Sequence, residues 1–148
     1  MEKIFLFLIL FCSNSFFAQS IEQLKKSDTL YVFFDHGIKQ QRLSQTNING
    51  TKTGDFYYFY FNHNKDSYLI FSHVYSLKPE VRTQKKSFLR KNKKNIIGVA
   101  FFEKYTLSEI IKIFSGGKKI YIIDKEDFKE GKITLKEVRV QSSILNEM

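Results

Sequence analysis

The apolar positions of this chain fall into short runs separated by polar, glycine-containing breaks, and several runs have the length and residue types of strands. Thr29-Leu30-Tyr31-Val32-Phe33-Phe34 is a block of β-branched and aromatic residues ended by Asp35-His36-Gly37, which predicts a buried strand. Residues 56–61 place six aromatics in a row; with the two-residue period of a strand, both faces of that strand are aromatic. Asn49-Gly50 and Gly54-Asp55 read as turn punctuation before it, residues 62–66 as a turn after it, and residues 67–75 as the return strand of a hairpin. Pro79 closes this half.

The second half holds the clearest local signal. Thr106-Leu107-Ser108-Glu109 fits a capping box, with Tyr105 and Ile110 spaced for a hydrophobic staple. Leu107, Ile110, Ile111 and Phe114 recur at i, i+3, i+4 and i+7, one apolar helical face, and Gly116-Gly117 supply the stop, so a helix is predicted over 107–115. Residues 95–102 and 119–124 flank it as strand-like runs, giving the order strand, helix, strand. Gly131 turns the chain into a last strand over 132–140, whose apolar phase shifts between Leu135 and Val138 as a bulge would make it. The predicted fold is a single α+β domain, a mainly antiparallel sheet of about five to seven strands with one or two packed helices, the second of them in the basic stretch described below.

The N-terminus changes the picture of where such a domain works. Met1-Glu2-Lys3 precedes eight consecutive apolar residues, 4–11, then Cys12-Ser13-Asn14 and Phe16-Phe17-Ala18-Gln19-Ser20. This is the layout of a secretory signal peptide, residues 1–18, with cleavage after Ala18 or after Ser20. The run is far shorter than the roughly 20 residues a membrane-spanning helix needs. A leader ending in Phe-Phe-Ala-Gln, in a chain rich in Lys, Asn, Ile and Phe, resembles those of small exported proteins of Bacteroidota-type bacteria. That resemblance implies a periplasmic, outer-membrane-associated or secreted product and carries no functional residues. Cys12 is the sole cysteine, so residues 19–148 have no disulfide, thiol nucleophile or cysteine-ligated metal. Phe11 stands where a lipoprotein signal has a small residue, which argues against lipidation of Cys12.

Charge then singles out one segment. The 148 residues carry 24 Lys plus Arg against 15 Asp plus Glu, a net of +9. Between positions 78 and 95 there are eight basic residues against Glu80 alone, a local net of +7. Lys85, Lys86, Arg90, Lys91, Lys93 and Lys94 are the candidate anion-binding residues. For an exported protein the fitting partners are anionic envelope lipid, lipopolysaccharide or acidic polysaccharide, and nucleic acid is a poor fit.

Other chemistry is thin. His63 and His73 are separated along a hairpin by roughly 20 Å at about 3.3 Å per residue, too far for shared ligation, and all three histidines read as turn or surface residues. Asp35-His36 and Asp124 end two strand-like runs. If those strands lie side by side in parallel, Asp35, His36 and Asp124 gather at one sheet edge, where α/β enzymes place acid, base or metal-binding groups. No phosphate loop, nucleophile elbow or zinc-protease signature occurs, and no metal or cofactor is expected. The favoured reading is a non-enzymatic exported protein with an anion-seeking basic segment. Its rivals are a small hydrolase or metal-dependent enzyme at the strand ends, and a subunit presenting its aromatic hairpin to a protein partner.

Overall fold

The computed structural model describes residues 20–143; the expected leader, residues 1–18, lies outside them. Eight strands form one mixed sheet in the order β2-β3-β4-β8-β7-β1-β6, with β5 added along β8. They are β1 (Thr29–Phe34), β2 (Gln40–Thr46), β3 (Lys52–Tyr60), β4 (Tyr68–Val74), β5 (Val81–Lys85), β6 (Ile96–Ile97), β7 (Lys119–Asp124) and β8 (Lys132–Ser142). Among the described residues four helices accompany them: α1 (Ile21–Lys26), α2 (Ser87–Lys91), α3 (Val99–Phe102) and α4 (Leu107–Phe114). None is long and apolar enough to cross a membrane.

The chain is α+β as expected, but the sheet is mixed and has eight strands, not a mainly antiparallel set of five to seven. The reason is the path between β6 and β7. The chain leaves β6, crosses through α3 and α4, and returns as β7 on the far side of β1, so β1 is parallel to both neighbours. Covering helices are what such a parallel crossover requires. The run over 95–102 is correspondingly not a strand: after a two-residue β6, Gly98 is extended and Val99 to Phe102 coil into α3.

One face of the sheet carries the main core. Leu30, Val32 and Phe34 of β1, Ile120 and Ile122 of β7, Tyr57 and Phe59 of β3, and Leu69 and Phe71 of β4 alternate inward and meet Leu24, Phe102, Ile110, Ile113 and Phe114 from the helices. Edge-to-face rings knit it, with Phe59 4.7 Å from Phe102 and 5.5 Å from Phe71 between centroids. α4 forms as its sequence dictates: the Thr106 hydroxyl accepts from the Glu109 amide, and the Glu109 carboxylate accepts from the Thr106 amide at 2.8 Å. Gly116 and Gly117, both left-handed, then end it.

The opposite face carries a smaller core beneath α2: Tyr121, Ile123, Ile133 and Leu135, joined by Tyr31, Phe33, Phe88, Leu89, Ile96 and Phe128. This second core explains the phase shift in β8 without a bulge. The register of β8 against β5 and β7 is continuous. Ile133 and Leu135 point into the small core while Val138 points into the main one, so the two halves of one regular strand bury opposite faces.

Candidate functional site

β1 and β7 are parallel neighbours in register, Phe34 opposite Asp124, so both C-terminal ends reach the same edge of the sheet. Asp124 is the last residue of β7, fully buried, and its side chain caps the short turn Lys125–Asp127 by accepting from the Glu126 amide at 2.9 Å. His36 lies just past β1 with φ 63°, a left-handed backbone that swings its imidazole back over the strand end. There the His36 ring packs edge-on against Phe34, and its Nε2 donates to Asp124 Oδ1 at 2.7 Å. Nδ1 faces Glu126 Oε1 at 3.5 Å.

Three cations and two further acids complete the cluster. Asp55 of β3 shares the inward face with Tyr57 and Phe59, and Arg42 of β2 sits directly opposite Tyr57. The Arg42 guanidinium stacks over the Tyr57 ring and donates to Asp124 Oδ2 at 2.7 Å and to Asp55 Oδ2 at 3.3 Å. Lys136 of β8 faces inward beside Ile122's position in the register; its ammonium lies 2.5 Å from Asp127 Oδ2, 3.8 Å from Asp55 and donates to the Tyr57 hydroxyl at 3.3 Å. Asp55 also accepts from Ser44 at 2.6 Å, Lys52 at 2.9 Å and Tyr75 at 3.1 Å. Burial opposes charge on the Asp55 carboxylate, but hydrogen bonds from Lys52, Ser44 and Arg42 outweigh it and hold the group well below the usual carboxylate range. Burial pushes the Tyr57 phenol well above its ordinary range, so it stays a neutral donor and acceptor. Chemically this is a closed, charge-paired cluster with one side open, where half-buried His36 and exposed Glu126 face solvent.

Of the residues expected to gather at this edge, His36 and Asp124 do. Asp35 does not: its carboxylate turns back to accept from the Gly37 amide at 3.2 Å, an ordinary Asx turn. His73 corrects the expectation of a surface histidine. It is 1% exposed, opposite Asp55 in the register, with Nδ1 on the Glu137 carbonyl at 2.6 Å. The sequence pattern does not single out Arg42, Asp55 or Lys136, since a charged residue in a strand normally marks the solvent face, whereas Asp127 lies in the acidic turn that follows Asp124. Gly54-Asp55, read as a turn, is mid-strand. A Cβ on Gly54 would meet the His73 carbonyl at 3.1 Å, and that close approach is why glycine precedes Asp55.

The basic segment lies elsewhere. It forms edge strand β5, helix α2 and the turn Lys93–Asn95, a cover over the smaller core. Phe88 and Leu89 anchor its apolar side, Phe88 edge-on to Tyr31 at 5.0 Å. Lys85, Lys86, Arg90, Lys91, Lys93 and Lys94 are all exposed. Lys86 reaches over the Phe128 ring, and among the described residues Lys85, Arg90 and Lys91 make no ion pair. Glu80, the segment's acid, is already engaged: hydrogen bonds from Arg82 and from the Tyr121 hydroxyl hold it down at about 2. The aromatic hairpin divides its rings: Tyr57 and Phe59 are core, while half-buried Tyr58, Tyr60 and Tyr68 cluster on the other face at 5.8 to 6.3 Å. No protein-family model, curated protein or solved structure matches the chain.

Proposed function

We propose that this is an exported protein with a binding role, which associates with phosphate-bearing anionic components of the cell envelope through the cover formed by β5, α2 and the turn after it. The observation that carries the reading is the amphipathic build of that cover. Phe88 and Leu89 fix it to the sheet, six cations are exposed on it, and Lys85, Arg90 and Lys91 meet no carboxylate among the described residues. Attraction to an anionic surface needs charge that is not already neutralised. The strand-end cluster, whose cations are consumed by its own acids, does not offer it. Each basic residue near such a surface contributes on the order of 1 kcal/mol, so several acting together give salt-sensitive association without a deep pocket.

The test is binding of the purified protein to vesicles containing lipopolysaccharide, titrated with salt and with single-stranded DNA as competing polyanion. The expected result is saturable binding that falls with ionic strength, prefers the vesicle to DNA, and disappears when Lys85, Lys86, Lys93 and Lys94 are all replaced by Glu in a protein whose circular dichroism is unchanged. Binding that survives that replacement, or that treats vesicle and DNA alike, overturns the proposal.

A further inference from the structure

A count of charges in the strand-end cluster leaves a remainder. Arg42, Lys52 and Lys136 supply three positive charges, and Asp55, Asp124, Asp127 and Glu126 supply four negative ones. The acid in excess is at the open side, where His36, Asp124 and Glu126 meet, and among the described residues no Lys or Arg pairs with Glu126. One atom from each of these three residues lies within 4.8 Å of the other two, the spread that a single metal ion can bridge with modest side-chain adjustment. The donors run from buried Asp124 through half-buried His36 to exposed Glu126, so an ion has a route from solvent.

We infer that His36, Asp124 and Glu126 bind a divalent transition-metal ion of the Zn2+, Co2+ or Mn2+ type. One imidazole nitrogen with two carboxylates is a donor set for borderline metals, whereas Mg2+ and Ca2+ favour oxygen-only sites. The ion enters in place of the hydrogen bond between His36 and Asp124, and the ring proton moves to the nitrogen not bound to metal. Asp124 is prepared for this. Its Oδ2 is held by Arg42 at 2.7 Å and its Oδ1 by the Glu126 amide at 2.9 Å, so the carboxylate is fixed from behind while Oδ1 faces the ring. The left-handed backbone at His36, uncommon for a residue other than glycine, is what carries the imidazole to this position. Glu126, on the turn that Asp124 caps, can move onto the ion without disturbing the fold.

The experiment is Zn2+ titration by calorimetry, with Co2+ visible absorption as a direct report of ligation, on the purified protein and three variants. Glu126→Gln alters an exposed side chain, and His36→Asn keeps a residue type that tolerates the left-handed backbone, so folding is preserved in both and is checked by circular dichroism. Wild type is expected to bind one equivalent of Zn2+ and to melt at a higher temperature with it. Glu126→Gln weakens binding by about tenfold or more, and His36→Asn abolishes both the cobalt band and the thermal shift. His63→Ala, at the exposed hairpin turn, leaves all of these unchanged. No saturable binding in wild type overturns the inference, as does Zn2+ binding that persists in His36→Asn or is lost in His63→Ala.

Discussion

Two charged regions of one small domain use the same residue types to opposite ends. In the strand-end cluster Arg42, Lys52 and Lys136 each lie within 3.8 Å of an acid, and the acids are buried or half-buried behind them. On the cover, Lys85, Arg90 and Lys91 stand in solvent with no acid partner among the described residues. Paired, desolvated charges hold a defined geometry at short range, and their field cancels a few ångströms away. Unpaired, hydrated charges hold no geometry but sum into a field that reaches about a Debye length, near 8 Å at physiological salt. The first arrangement suits capture of a small ion, and the second suits approach to an extended anionic surface.

The two regions differ most in stability at Asp55. Its carboxylate is fully buried and accepts from Arg42, Lys52, Ser44 and Tyr75, with the Lys136 ammonium close by. Asp55→Ala removes the buried acceptor that Arg42, Lys52, Ser44 and Tyr75 share, leaving Arg42 and Lys136 to Asp124 and Asp127 alone. A loss of about 3 to 5 kcal/mol of unfolding free energy is expected, measured by urea denaturation. A loss below about 1 kcal/mol would mean that the cations escape to water, and that the cluster is a surface feature.

That cluster was half legible in the sequence, for a physical reason. His36 and Asp124 end strands whose apolar runs are continuous, because β1 and β7 are buried on both faces, and such runs are easy to read. Helix α4 was equally plain, since its cap and its apolar face coincide. Arg42 lies in β2, Gln40–Thr46, an edge strand with one buried residue whose pairing to β3 is made by backbone, which leaves no trace in side-chain periodicity. β5 is hidden in the same way, as an exposed strand held by the backbone of β8. Lys136 and Asp55 occupy core-facing positions that only the register reveals, and the parallel placement of β1 and β7 depends on a crossover that local pattern does not encode.

pH sharpens the same contrast. The Asp55 carboxyl is depressed below its ordinary value in the fold, so its contribution is fully present above the unfolded value, near pH 4. It is lost as pH falls through the native one. The stability gap between wild type and Asp55→Ala is therefore expected to be constant from pH 7 to about 5 and to narrow steadily below pH 4. Urea midpoints across that range read it directly. A gap that stays constant down to the acid-unfolding limit would show that Asp55 acts through packing and not through its charge.

The smallest effect on stability belongs to the cover, and its smallness is the point. Lys91 is exposed in the last turn of α2, where a cation favours the helix dipole, and it makes no ion pair among the described residues. Lys91→Glu is expected to shift unfolding free energy by no more than about 0.5 to 1 kcal/mol in urea. Removing one favourable charge and adding one unfavourable charge near an anionic surface amounts to about 2 kcal/mol, so vesicle affinity is expected to fall on the order of thirtyfold at low salt. As salt rises the binding penalty shrinks while the stability change stays small. A residue whose replacement alters binding far more than folding serves the surface it faces. If Lys91→Glu instead unfolds the domain and leaves vesicle affinity unchanged, the cover is a structural lid whose lysines only keep an edge strand soluble.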